Sequence, residues 1–87
     1  MTKVRSEINE YGDLFWFKEG TDILHREDGP AVEYADGTKF WFQNGLLHRL
    51  NGPAVELLNG DKEYYLNDIY YSEIKTNEEW IIFQIIN

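Results

Sequence analysis

Along this chain apolar and aromatic residues gather in short runs, and turn-forming pairs separate them. Thr38 to Gln43 lies between Asp36-Gly37 and Asn44-Gly45, and Asn59-Gly60 follows the next apolar stretch. Runs of about six residues have the usual length of a strand. Asp-Gly and Asn-Gly between β-prone runs favour type I′ hairpin turns, in which both central residues take φ > 0. Side chains alternate along a strand. Leu14, Trp16 and Lys18 therefore oppose Phe15 and Phe17, and Lys39, Trp41 and Gln43 oppose Thr38, Phe40 and Phe42. Pro30 and Pro53 cannot donate to a ladder and belong at a strand's first residue or on an edge. The pattern predicts a mostly β fold, a serial antiparallel meander of hairpins.

The meander is repetitive. Gly29-Pro30-Ala31-Val32-Glu33 recurs as Gly52-Pro53-Ala54-Val55-Glu56, a shift of 23 residues, and the same shift carries Leu24-His25-Arg26 onto Leu47-His48-Arg49 and Trp41-Phe42 onto Tyr64-Tyr65. Gly12 to Gly20 aligns with Gly37 to Gly45 at a shift of 25, with Thr21-Asp22 read as an insertion. One repeat domain over 1–87 follows: a partial unit 12–28, full units 29–51 and 52–74, and a cap 75–87. Weak alternation at Val4 and Ile8 allows a leading strand within 1–11. Stacked hairpin units share a core only with their neighbours. Stacking places Trp16, Trp41 and Tyr64 in one column and Phe17, Phe42 and Tyr65 in another, so both faces carry aromatics. The tail, a curled sheet or a partner must cover one of them. Thr76-Asn77-Glu78-Glu79 has capping-box spacing and predicts a short C-terminal helix as the cap; the Ile-rich run that follows, residues 80–86, would also suit a buried strand.

The units His25-Arg26-Glu27-Asp28-Gly29-Pro30-Ala31 and His48-Arg49-Leu50-Asn51-Gly52-Pro53-Ala54, with Trp41-Phe42-Gln43-Asn44-Gly45, resemble tandem-repeat proteins of bacteriophages. The resemblance spans roughly residues 12 to 72. Such units are similar to MORN repeats, themselves serial β-hairpins, but Gly-Pro-Ala stands here where the Gly-x-Gly step of MORN repeats would be. MORN roles in lipid binding are therefore not carried over. The resemblance implies a viral source and a hairpin ladder, and no particular activity.

Composition narrows the chemistry. Three Trp, 6 Tyr and 5 Phe in 87 residues supply a core, and the absence of Cys excludes disulfides, thiolate zinc sites and a Cys nucleophile. A net charge of −8 disfavours direct binding to nucleic acid or anionic membrane, and the opening Met1 to Ile8 has no apolar signal region. A cytoplasmic location, that of the host cell for a viral protein, is the expectation. His25 and His48 each precede an Arg, so His25, Arg26, His48 and Arg49 could hold an anion. A feature repeated in every unit more often serves the unit. Each His is then read as fixing the turn before Gly-Pro, and each Arg as pairing with Glu33 or Glu56. No close-spaced metal-ligand motif, catalytic constellation or phosphate loop is present, so no enzyme activity, metal or cofactor is expected.

These readings favour a small acidic protein that binds and inhibits a host protein, in the manner of an anti-defence, anti-CRISPR-like inhibitor of a nucleic-acid-binding factor. Glu33, Asp36, Glu56 and Asp61 are the expected acidic contacts, with Trp16 and Trp41 as aromatic anchors. The alternatives are an oligomeric protein that sequesters an anionic nucleotide, and a structural or assembly module of a virion.

Overall fold

Each repeat unit folds as two hairpins joined at a bend, and the bend falls on the column of Trp16, Trp41 and Tyr64. The structure, a computed structural model, describes residues 2–86. Its strands are β1 (Val4–Ile8), β2 (Leu14–Lys18), β3 (Val32–Glu33), β4 (Lys39–Phe40), β5 (Phe42–Gln43), β6 (Leu46–Leu47), β7 (Val55–Glu56), β8 (Lys62–Glu63), β9 (Tyr65–Leu66) and β10 (Ile69–Tyr70). One helix, α1 (Asn77–Ile86), follows. Six strands form an antiparallel sheet in the order β1-β2-β3-β4-β7-β8, and β5-β6 and β9-β10 are separate hairpins. The mostly β hairpin meander with a helical cap is thus the fold.

The run from Thr38 to Gln43 is not one strand, as its alternation predicts, but two. Trp41 donates its N–H to the Ala54 carbonyl at 2.8 Å, while its own carbonyl accepts the His48 N–H at 3.0 Å. Trp16 does the same with Ala31 and His25. The chain therefore leaves the main sheet at this residue and enters the second hairpin. The second hairpins are also laced in series, through Gly45 N–H to the Leu24 carbonyl and Asp68 N–H to the Leu47 carbonyl, both 2.8 Å.

Two turn types alternate, where one is expected. Asn44-Gly45 and Asn67-Asp68 have φ of 53°, 77°, 48° and 70°, so both central residues are left-handed, as a type I′ turn requires. At Asp36-Gly37 and Asn59-Gly60 only the glycines are, at 100° and 92°. There Gly37 N–H bonds Tyr34 O and Tyr34 N–H bonds Thr38 O, both 2.9 Å, which is a type I turn closed by a glycine bulge. The reason is local. The Asp36 carboxylate and the Asn59 amide oxygen each accept the N–H two residues on, at 2.9 Å, and hold an Asx-turn instead.

Register separates the two faces of the main sheet. Leu14, Glu33, Lys39, Glu56 and Lys62 lie across one face, with charge sign alternating from strand to strand. Phe15, Val32, Phe40 and Val55 lie across the other. With a thinnest extent of 17 Å, the molecule is a slab, and its buried hydrophobic side chains among the described residues are Ala31, Val32, Pro53, Ala54, Val55 and a cluster of Tyr64, Ile74 and Trp80. That cluster is the work of the cap. Thr76 Oγ1 accepts the Glu79 N–H at 3.1 Å, and the Glu79 carboxylate reaches back to the Lys75 N–H at 3.0 Å, so the capping box forms with its return bond one residue earlier than expected. The helix so started drives Trp80, fully buried, against Tyr64, Tyr71 and Phe83.

Candidate functional site

The repeated His-Arg and Gly-Pro-Ala elements assemble one device per unit. The Arg26 guanidinium lies 4.4 Å from the Trp16 ring centre, and that of Arg49 lies 3.9 Å from Trp41. Both are cation–π stacks. Behind each guanidinium sits a glycine: a Cβ on Gly29 would stand 2.9 Å from Arg26 Cζ, and one on Gly52 would stand 2.8 Å from Arg49 Cζ. Neither glycine is left-handed, so close approach to the arginine, and not backbone freedom, requires them. Each arginine then clamps its own Gly-Pro turn. Arg26 donates from Nη1 to the Pro30 carbonyl (3.2 Å) and from Nε to Asp28 (3.1 Å); Arg49 donates to the Pro53 carbonyl (3.1 Å) and to Asn51 (3.3 Å). The expected acid partners are in place, Glu33 at 3.5 Å from Arg26 and Glu56 at 3.1 Å from Arg49.

The histidines hold a different turn from the one expected. His25 Nδ1 accepts the Asn44 N–H at 2.9 Å, and His48 Nδ1 accepts the Asn67 N–H at 3.1 Å. Each imidazole thus fixes the Asn-led turn of the following hairpin, while the arginine fixes the turn before Gly-Pro. An accepting Nδ1 carries no proton. Burial pushes the His48 pKa below its ordinary value, in keeping with that role. His25 is almost fully buried; among the described residues its Nε2 has no hydrogen-bond partner, and it lies 3.7 Å from a Glu27 carboxylate oxygen.

A cleft of about 550 Å³ runs between the two arginine devices, lined among others by Arg26, Asp28, Trp41, His48 and Arg49. It brings three of the four candidate anion ligands together, with His25 outside its lining. The guanidiniums in it are already matched by Asp28, Glu33 and Glu56, so the cleft offers an anion little unpaired positive charge. Among the described residues no group of three or more His, Asp or Glu is placed to hold a metal ion.

The acidic candidates divide in two. Glu33 and Glu56 are bound to the arginines. Asp36 and Asp61 are exposed at the glycine-bulge turns, although each also serves its turn, Asp61 accepting the Asn59 side-chain amide at 3.1 Å. Trp16 and Trp41 are half-buried under Arg26 and Arg49 and present little free ring. The apolar surface lies elsewhere. Phe15, Phe17, Tyr34, Phe40 and Phe42 form a chain of ring contacts, 5.8 to 6.4 Å between centres, that is only half-buried. On α1, Ile81, Ile82, Ile85 and Ile86 face outward, the last two 76% and 74% exposed. The expected helical cap forms, but of residues 80–86 only Trp80, Phe83 and Gln84 turn inward.

No protein-family model matches the chain, and no curated protein or solved structure matches it either. Among the described residues no helix is long and apolar enough to cross a membrane.

Proposed function

We propose that this chain is a binding protein without catalytic function, and that it inhibits a host protein by laying the outer face of α1 in a hydrophobic groove. The outward isoleucines carry this reading. Ile81 and Ile85, and Ile82 and Ile86, are i, i+4 pairs, the spacing of helix-in-groove anchors. Contiguous apolar surface of this kind marks an interaction site on a small protein. Glu78 and Glu79 open the helix and the chain carries −8 overall, so the fitting groove has a basic rim, as nucleic-acid-binding defence factors do. The resemblance to phage repeat proteins supports the host as the source of the partner.

The test begins with capture from host lysate and continues with the purified partner. Ile82→Glu with Ile85→Glu should weaken binding at least about tenfold and relieve inhibition, with the circular dichroism spectrum unchanged. Unchanged affinity would remove the helix as the contact. The cleft between Arg26 and Arg49 is the geometry that nucleotide sequestration would use. Nucleotide binding abolished by Arg26→Ala and Arg49→Ala in a folded chain would favour that alternative.

A further inference from the structure

The two ends of the main sheet are built differently. β8 is two residues long and carries Lys62 and Glu63, and the chain continues from it into the Tyr64 cluster under α1. β1 is five residues long, and among the described residues only β2 is bonded to it. Long open edges are sites for pairing with another strand, and proteins usually blunt them with Pro, bulges or lysines. β1, Val4-Arg5-Ser6-Glu7-Ile8, has no Pro, bulge or lysine, and its two charges, Arg5 and Glu7, are of opposite sign.

Hydrogen-bond phase shows which backbone groups face outward. Asn9 N–H bonds the Asp13 carbonyl and Glu19 N–H bonds the Lys3 carbonyl, both at 3.0 Å. In an antiparallel pair the bonded positions alternate, so Lys3, Arg5, Glu7 and Asn9 bond inward to β2. The N–H and C=O groups of Val4, Ser6 and Ile8 point away from the sheet.

We propose that β1 pairs antiparallel with β1 of a second copy of this chain, about a two-fold axis at Ser6. In that register Ser6 exchanges both bonds with Ser6 of the second copy, and Val4 exchanges both with Ile8, so every outward group is used. No other antiparallel register engages all three residues. The side chains agree with the backbone: Arg5, which in the single chain pairs with its own Glu7 and with Asp22, stands opposite Glu7 of the second copy, and Glu7 opposite Arg5, at the cross-strand spacing of about 5 Å between Cβ atoms. Ile8, 70% exposed in the single chain, meets Val4. Charge allows the approach. Residues 1 to 11 hold Lys3 and Arg5 against Glu7 and Glu10, so the net −8 lies wholly in 12–87 and the edge itself is neutral. The product is an isologous dimer with one continuous sheet.

Light scattering and sedimentation across a concentration series test this. The expected result is a concentration-dependent species of twice the monomer mass, with the Ser6 amide gaining protection from hydrogen exchange as it forms. Ser6→Pro removes an N–H that the β1-β2 hairpin does not use, so it should leave the fold intact and weaken the dimer by on the order of tenfold or more. Arg5→Glu and Glu7→Arg each place like charges in opposition and should each give monomers, whereas an equimolar mixture of the two variants restores the opposite-charge pairs and should form a one-to-one heterodimer. Circular dichroism checks that both charge variants still fold, since Arg5 also stacks on Phe17, bonds the Thr21 carbonyl and pairs with Glu7 and Asp22 of its own chain. A chain monomeric at its highest soluble concentration would overturn the proposal. So would a dimer indifferent to Ser6→Pro, or a mixture of charge variants that does not pair.

Discussion

Replacing Gly52 with Ala should destabilise the protein, although ordinary reasoning about glycine gives the opposite sign. Gly52 is not left-handed, so an added methyl should restrict the unfolded chain and stabilise by about 0.4–1 kcal/mol. The Cβ, however, would stand 2.8 Å from Arg49 Cζ and 2.9 Å from Nη1. Trp41 at 3.9 Å blocks retreat on the other side, so the guanidinium must leave its slot. Leaving forfeits a partly exposed cation–π contact of about 1 kcal/mol. It also forfeits a charged hydrogen bond to the Pro53 carbonyl, about 1.5 kcal/mol, and an ion pair with Glu56 of less than about 1 kcal/mol. The net cost is about 2 kcal/mol, a fall in Tm of about 8–16 °C for a chain of this size. Thermal melts of a double-mutant cycle decide the matter. In an Arg49→Ala background the three atoms nearest the methyl are gone, so Gly52→Ala should there be neutral or stabilising, and the coupling between the sites should be about 2–3 kcal/mol. Equal costs in both backgrounds would refute the arginine slot as the reason for this glycine.

Three further outcomes follow from the same geometry. Trp80→Ala should cost about 3–5 kcal/mol in denaturant titration, because it empties the centre of the cap cluster and strands the Arg49 carbonyl that accepts the indole N–H at 3.0 Å. His25→Ala should cost more than His48→Ala, since both release a turn N–H worth about 1 kcal/mol but only His25 is buried, and neither should remove a binding activity. The folded-state pKa of His48 lies below its unfolded value of about 6.5, so its contribution is fully present above that pH and is lost as pH falls from there towards the folded value; urea midpoints measured across that window should show the loss shrinking in His48→Ala.

Much of this fold is written in local chemistry. The Asn44-Gly45 turn and the Thr76 capping box each act within a few residues and appear in the structure, and the 23-residue period appears as the repeated Arg26 and Arg49 devices. What the sequence leaves dark depends on neighbours across the sheet. Alternation with a period of two continues through Trp41, so nothing in the run marks where its N–H and its carbonyl part to different hairpins. Gly29 and Gly52 look like turn glycines until Arg26 and Arg49 are seen behind them. The pairing of those arginines with Glu33 and Glu56 is legible because the spacing recurs in both units. The spacing does not show how fully that pairing engages the two carboxylates that were also expected to meet a partner, which is settled only by where Arg26 and Arg49 lie in space.

The two ends of the ladder explain why it stops on one side and can continue on the other. Each Trp of the column is covered by an arginine ten or eight residues on, Trp16 by Arg26 and Trp41 by Arg49. The next member, Tyr64, would need an arginine at the position that holds Ser72. Trp80 from α1 takes that place, its ring centre 5.4 Å from Tyr64, and Tyr71, where a histidine would fall, packs on Trp80 as well. The helix thus substitutes for the missing His-Arg pair, as terminal repeats in stacked proteins must. At the opposite end Arg5 covers Phe17 at 4.6 Å and shields that face, but it leaves the backbone edge of β1 unpaired. A cap that closes the side chains while leaving the hydrogen-bond edge open confines growth to one strand pairing. Two-fold pairing there uses up the edge of both copies, so the ladder can double but cannot polymerise through β1.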